Sequence, residues 1–160
     1  MTKKITIAID AMGGENSPNK IVSGLAIFLK KYKNNNDFFI NLYGDENKIN
    51  ESIKKYKVSS NFFKIIHTRS VVSDDETPLT AVKNSKNTSM WNCIKSQVDG
   101  VSDISLSAGN TGVLLVISRM ILKMMSQVSK PALAGLWPNK KGMNVVLDLG
   151  ANIECDENNL

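Results

Sequence analysis

Apolar and polar positions along this chain follow two alternating rhythms. Short apolar runs fall at Ile5–Ile9, Phe38–Tyr43, Asn61–His67 and Asp103–Ser107. Between them, apolar residues return every three or four positions. Ile21, Leu25, Phe28, Leu29 and Tyr32 do so within Ile21–Tyr32. The lysine-rich stretch Lys48–Tyr56 reads the same way, as does a stretch from Pro78 to Val98 broken or capped near Asn87-Thr88-Ser89. A last one runs from Asn110 to Met125. The short runs predict strands and the periodic stretches predict helices. Ala132–Leu136 and Val145–Leu149 are two further strand candidates. Alternation of this kind predicts an α/β fold of three layers: a largely parallel, Rossmann-like sheet with helices on both faces.

In such sheets ligands gather outside the carboxyl ends of the strands. Three of the predicted strands end in small, polar, glycine-bearing turns. The first supplies Asp10, Gly13, Gly14, Glu15 and Asn16; the fourth supplies Ser107, Gly109, Asn110, Thr111 and Gly112; the last supplies Asp148, Gly150 and Asn152. Parallel strands would deliver all three turns to one edge. Glycines let backbone N–H groups approach an anion with no Cβ in the way, and a following helix adds positive partial charge at its start. Ser107–Gly112 is the best anion candidate, because Asn110 and Thr111 add side-chain donors. An ordinary strand-to-helix connection explains the first turn taken alone, and simple capping explains Asn110 and Thr111. Three such turns on one edge are harder to explain as punctuation. None is a Walker A loop or a G-x-G-x-x-G dinucleotide turn.

Composition narrows the chemistry. The chain has 160 residues, is 42% hydrophobic and 22% charged, and carries a formal net charge of +5. That is an ordinary globular balance, with one domain as the soft expectation. The positive charge is almost all lysine and is scattered, which argues against a nucleic-acid arm and for a solvated surface. Cys93 and Cys155 are far apart and lack metal spacing, as expected of reduced thiols in a cytoplasmic protein. His67, the single histidine, closes an apolar run and reads as a strand end rather than a base or ligand. No metal motif, signal peptide or transmembrane span is predicted.

Six segments together resemble the phosphate acyltransferase (PlsX) family of bacterial phospholipid synthesis. They are IAIDAMGGENSP (Ile7–Pro18), LYGDE (Leu42–Glu46), AVKNSKNTSM (Ala81–Met90), SAGNTG (Ser107–Gly112), KPALAGLWP (Lys130–Pro138) and VVLDLGANIECD (Val145–Asp156). They stand in the family's order and spacing along the whole chain. The family usually has Asp where this chain has Glu15, and more basic residues around Lys83–Lys86. The resemblance extends to the family's N-terminal half only. It implies that residues 1–160 are part of a single domain of the isocitrate/isopropylmalate dehydrogenase-like kind, truncated here. Half a sheet would leave an apolar edge unpaired, so the chain alone is expected to be inactive.

The implied reaction is attack of inorganic phosphate on the thioester of an acyl chain carried by acyl carrier protein, giving acyl phosphate and free carrier. Phosphate is a competent nucleophile at neutral pH, so the protein need only position the reactants and stabilise the oxyanion. No cofactor is implied. On this reading Gly13, Gly14, Gly109, Asn110 and Thr111 cradle phosphate or oxyanion, and Lys83 or Lys86 neutralises charge. Asn16 and Asn152 orient polar groups, and Asp10 and Asp148 hold loop backbone rather than donate protons. The family also implies a homodimer and a peripheral place at the inner face of the cell membrane, where acyl phosphate passes to a glycerol-3-phosphate acyltransferase. Two other readings stay open: an acyltransferase using coenzyme A thioesters, and a non-catalytic remnant.

Overall fold

The apolar run at the start of the chain becomes β1 (Ile5–Asp10), the strand on which the rest is assembled. A computed structural model describes residues 4–32, 37–73, 75, 77–128 and 131–147, the side chains of residues 60, 79, 81 and 82 excepted. In chain order the elements after β1 are α1 (Asn19–Lys31), β2 (Phe38–Gly44), α2 (Glu46–Tyr56), β3 (Phe63–His67), α3 (Pro78–Asn84), α4 (Ser89–Val98), β4 (Ile104–Ser107), α5 (Thr111–Leu122), β5 (Ala134–Asn139) and β6 (Gly142–Leu147). A short 3-10 turn over Ser60–Phe62 takes the start of the predicted third strand.

β1 to β4 form a parallel sheet in the order β3-β2-β1-β4. The expected α/β architecture is therefore present. Side chains alternate across the sheet, so each strand serves two faces. On one face Phe38, Ile40, Leu42 and Phe63 meet Val22, Leu25 and Leu29 of α1 and Ile49 of α2. On the other, Ala8 and Tyr43 meet Cys93 of α4. Met90 and Ile94 of α4 pack in turn with Val113 and Ile117 of α5 and with Val72.

Local chemistry sets the ends of the helices. Asp45 caps α2, its Oδ1 accepting from the backbone N–H groups of Asn47 at 3.0 Å and Lys48 at 3.2 Å. Thr88 caps α4 by accepting from the Trp91 N–H at 3.2 Å. The predicted break near Asn87-Thr88-Ser89 is the gap between α3 and α4, where Asn87 has a φ of 67°. Lys123, with a φ of 64°, ends α5 three residues before the predicted limit at Met125.

The last two strands depart from expectation. β5 and β6 pair antiparallel with each other as a separate two-stranded sheet. Their connection is Asn139-Lys140-Lys141-Gly142, in which Asn139 Oδ1 accepts from the Lys141 N–H at 2.7 Å. Asparagine and glycine around a tight connection are hairpin chemistry. β6 is thus not a parallel member of the main sheet. The third predicted turn, with Asp148, Gly150 and Asn152, lies outside the described residues.

Candidate functional site

The register of the sheet builds the site. β1 and β4 pair so that Asp10 stands opposite Ser107, at the carboxyl end of both strands. Both side chains point to the α4 face, two positions on from Ala8 and Ser105. There Ser107 Oγ donates to Asp10 Oδ2 at 2.7 Å. Asp10 Oδ1 accepts from the Met12 N–H at 3.1 Å, and the Gly109 N–H donates to Ser107 Oγ at 3.1 Å. One buried carboxylate, 1% exposed, thus ties the first turn to the fourth.

The two turns touch through their glycines. A Cβ on Gly13 would lie 2.6 Å from Asp10 Oδ2, 2.7 Å from Ser107 Oγ and 2.8 Å from the Gly109 nitrogen. A Cβ on Gly109 would lie 2.7 Å from Met90 Cε and 3.4 Å from Gly13 Cα. Gly14 has a φ of +85° and its Cβ would collide with the carbonyl oxygen of Ala108. No larger residue fits this close approach of backbones. Ser17 Oγ donates to the Gly13 carbonyl at 2.6 Å, which braces the first turn from its far side. Met90 in α4 supports Gly109 from below; the sequence pattern marked Met90 only as part of a longer segment.

Some predicted donors are already engaged. The Gly109 N–H is held by Ser107, so it does not face a ligand in this arrangement. Asn110 is the N-cap of α5, with Oδ1 accepting from the Val113 N–H at 3.1 Å. Capping, the simpler of the two sequence readings, therefore describes this oxygen. The N–H groups of Gly13, Gly14, Thr111 and Gly112 make no hydrogen bond among the described residues. They are the donors an anion could reach, together with the partial charge at the start of α5. Gly112 also packs near Pro78, at 3.1 Å from a built Cβ to Pro78 Cγ, which places the start of α3 beside the start of α5.

The remaining candidates sit further out. Glu15 and Asn16 are exposed, and Asn16 takes a left-handed φ of 59° while its carbonyl accepts from the Lys20 N–H at 3.1 Å. Lys83 and Lys86 are exposed. Lys86 lines a separate cleft of about 450 Å³ with Tyr43, His67, Trp91 and Lys95. Among the described contacts none joins Lys83 or Lys86 to the glycine turns. His67 ends β3 as expected, with Nδ1 accepting from the Glu46 N–H at 3.3 Å.

The layer beneath the site is polar as well as buried. Burial, reinforced by the negative charge of Asp10, pushes the Cys93 thiol up to about 12. A neutral thiol under the site is packing, not a nucleophile. Burial likewise raises the Tyr43 phenol, although Ser96 hydrogen-bonds to it. Among the described residues no group of three or more histidine, cysteine or acidic side chains could hold a metal. No helix of the described residues is long and apolar enough to cross a membrane.

The chain is similar along its length to known proteins. The chain is 53% identical over 160 residues to the phosphate acyltransferase of Pelagibacter ubique, covering 100% of this chain and 46% of that protein. It is 39% identical over 157 residues to the phosphate acyltransferase of Parvibaculum lavamentivorans, covering 98% and 43%. It is 38% identical over 161 residues to that of Bradyrhizobium diazoefficiens, covering 100% and 45%. The chain thus spans less than half the length of these curated relatives. The sequence profile described as "Fatty acid synthesis protein" matches residues 5–160, from the first residue of β1 through both glycine turns, and the chain belongs to that family.

Proposed function

We propose that this chain supplies the glycine-turn half of a phosphate acyltransferase site. The observation that carries the reading is the contact between Gly13 and Gly109, held by the Asp10–Ser107 hydrogen bond at 2.7 Å. Two backbones brought this close leave the N–H groups of Gly13, Gly14, Thr111 and Gly112 around one edge, where a phosphate oxygen or an oxyanion can be bound without a side chain intervening. The names of the relatives support phosphate as that anion.

In the proposed reaction a phosphate oxygen attacks the carbonyl carbon of an acyl thioester. The C–S bond breaks, the thiolate leaves and takes a proton from solvent, and acyl phosphate remains. No protein nucleophile is needed, in keeping with a buried, neutral Cys93 beneath the turns. Asp10 acts as a brace: with Ser107 and the Met12 N–H already bound to it, it fixes the turns rather than moving a proton. Asn110 starts α5 and so aims the Thr111 and Gly112 N–H groups. Glu15 and Asn16 add exposed polar groups to the first turn. The family resemblance also assigns Asp148, Gly150 and Asn152 to the anion site in this proposal. Residues 1–160 act as one part of a larger α/β unit, with acyl carrier protein as acyl donor and a homodimer at the inner membrane surface as the working form.

The test is acyl-phosphate formation, captured with hydroxylamine, from long-chain acyl carrier protein and phosphate. It is run on the chain together with the remainder of the Pelagibacter ubique relative, and on the chain alone. Phosphate-dependent product from the combined protein is expected. Product from acyl coenzyme A but not from acyl carrier protein would reassign the donor. No product from either, with both polypeptides folded, would leave a binding remnant and sink the proposal.

A further inference from the structure

α4 packs on β1, β2 and β4, and β3 stands one strand further out. Where the helix gives way to β3, a cleft of about 450 Å³ opens. Its floor is Tyr43 and Ile66, which are direct partners in the register of β2 and β3. Its wall is α4, from which Trp91 and Lys95 project on one side, four residues apart. Lys86 and Asn87, in the link between α3 and α4, and His67, which ends β3, also line it. Small-molecule sites span about 300–1,000 Å³, so the cleft is large enough to be one. The reaction proposed above makes no use of it.

The charge balance of the cleft favours an anion. Asp99 is its acid, and Lys95 Nζ already holds the Asp99 carboxylate at 2.5 Å. Lys86 makes no ion pair among the described residues. His67 Nδ1 accepts from the Glu46 N–H at 3.3 Å, so the proton of the neutral ring sits on Nε2 and can be donated. The side-chain amides of Asn87 and Asn92 and the indole N–H of Trp91 make no hydrogen bond among the described residues. The Tyr43 phenol is bonded to Ser96 and serves as floor. What remains is an ammonium, an imidazole N–H, an indole and two carboxamides.

A bare anion would leave the indole and the carboxamides unused, and an aliphatic chain would strand the ammonium. A flat, hydrogen-bonding ring that carries a phosphate engages all of them. An aromatic side chain stacks on any nucleobase, a carboxamide both donates to and accepts from a base edge, and a lysine is a point cation for phosphate. We propose that this cleft is a nucleotide site, with phosphate at Lys86 and His67 and the base against Trp91. It shares no lining residue with the glycine turns. Two sources carry this chemistry, a free nucleotide and the nucleotide end of coenzyme A. The inference goes beyond the reaction proposed above and does not depend on it.

The experiment titrates the 160-residue chain with ATP, coenzyme A, pantetheine 4′-phosphate and inorganic phosphate. Calorimetry reads the affinity, and Trp91 emission reads the place, in a Trp137→Phe background that leaves Trp91 as the reporter. ATP or coenzyme A is expected to bind with Kd below about 1 mM, at least about tenfold tighter than either phosphate that lacks a base. ATP alone would name a free nucleotide as the source, and coenzyme A alone would name the thioester carrier. Lys86→Ala should weaken binding at least about tenfold, and Lys86→Arg should retain it. Lys48→Ala, on α2 outside the cleft, should change nothing. Equal affinity for ATP and inorganic phosphate would reduce the cleft to a simple anion patch and overturn the proposal. So would binding that Gly13→Ala abolishes and Lys86→Ala leaves intact, because the nucleotide would then sit at the glycine turns. Failure of both nucleotides to bind the folded protein at about 5 mM would overturn it as well. If the chain is insoluble alone, it is joined to the unmatched remainder of the Pelagibacter ubique protein, and calorimetry carries the same expectations. Acyl-phosphate formation is not read, so a failed reaction and a failed nucleotide site are told apart.

Discussion

The two faces of the sheet are built from different materials. Toward α1 and α2 the strands present Phe38, Ile40, Leu42 and Phe63, and the helices answer with Val22, Leu25, Leu29 and Ile49. Toward α4 they present Ala8, Asp10, Asn41 and Tyr43, and α4 answers with Cys93 and Ser96. Ser96 and Ser102 share a hydrogen bond there, and Asn41 Oδ1 has no partner among the described residues. One face supplies apolar burial; the other carries the polar positions that end in Asp10 and Ser107. Stability and chemistry are thus separated by strand parity, and a single strand such as β1 serves both.

That separation can be broken from either side. The largest effect is expected at Leu42, which is fully buried on the apolar face. Leu42→Ala should cost about 2–5 kcal/mol in urea unfolding, with the glycine turns lost only because the fold is lost. A cost below about 1 kcal/mol would show that this face is not the main source of stability.

Gly13→Ala should do the reverse. Its methyl group would meet Asp10, Ser107 and Gly109 at 2.6–2.8 Å, so the turns must part. Overpacking of this kind costs about 1–3 kcal/mol. A displacement of about 1 Å at a positioning site costs on the order of a hundredfold in rate. Acyl-phosphate formation with the remainder supplied should therefore fall far more than stability does. An unchanged rate would remove the Gly13–Gly109 contact from the site.

Asn110→Ala comes next. Loss of the cap on α5 should cost about 1 kcal/mol, read by thermal melting, and should lower phosphate affinity through the displaced Thr111 and Gly112 N–H groups. Asn110→Asp or Asn110→Ser should recover the stability. Recovery of affinity by Ser but not by Asp would indicate that an anion sits close by.

The last test perturbs no residue of the site and concerns Cys93. With its thiol raised from 9.0 to about 12, the native protein holds roughly a thousandfold less thiolate than the unfolded chain at pH 8. Alkylation of Cys93 should be correspondingly slow in the folded protein and rapid in urea. The sign for stability follows. The folded state prefers the protonated thiol, so its contribution is complete below pH 9.0 and is lost as pH rises toward about 12. Fast native alkylation would mean that the polar face is open rather than packed.

Much of this arrangement is legible in the residues themselves. The apolar runs locate β1 to β4, and DAMGGEN and SAGNTG locate the two turns, because strand period and glycine chemistry are local. Register is not local. Nothing in either segment says that Asp10 faces Ser107 rather than a neighbour, which requires the pairing of β1 with β4. The same limit explains why Gly109 read as an open donor although its N–H belongs to Ser107. Lys86 lies in one of the segments that carry the resemblance, and only the fold shows that it lines the cleft with Tyr43, His67 and Trp91. The β5–β6 hairpin is a different case. Asn139 and Gly142 carry a turn signal, but whether β5 and β6 pair with each other or join the main sheet is again a matter of register.

The bond between Ser107 and Asp10 joins residues 97 positions apart. β1 can pair with β2 while the chain is still short, because only α1 separates them. Its other edge cannot be filled until β4 has been made. At synthesis rates of about 5–20 residues per second, roughly 5–20 s pass between the two residues leaving the ribosome's catalytic centre. Through that interval the Asp10 carboxylate lacks its serine and Gly13 lacks Gly109. The site is therefore a late product of folding, absent from every nascent chain that has β1 but not β4.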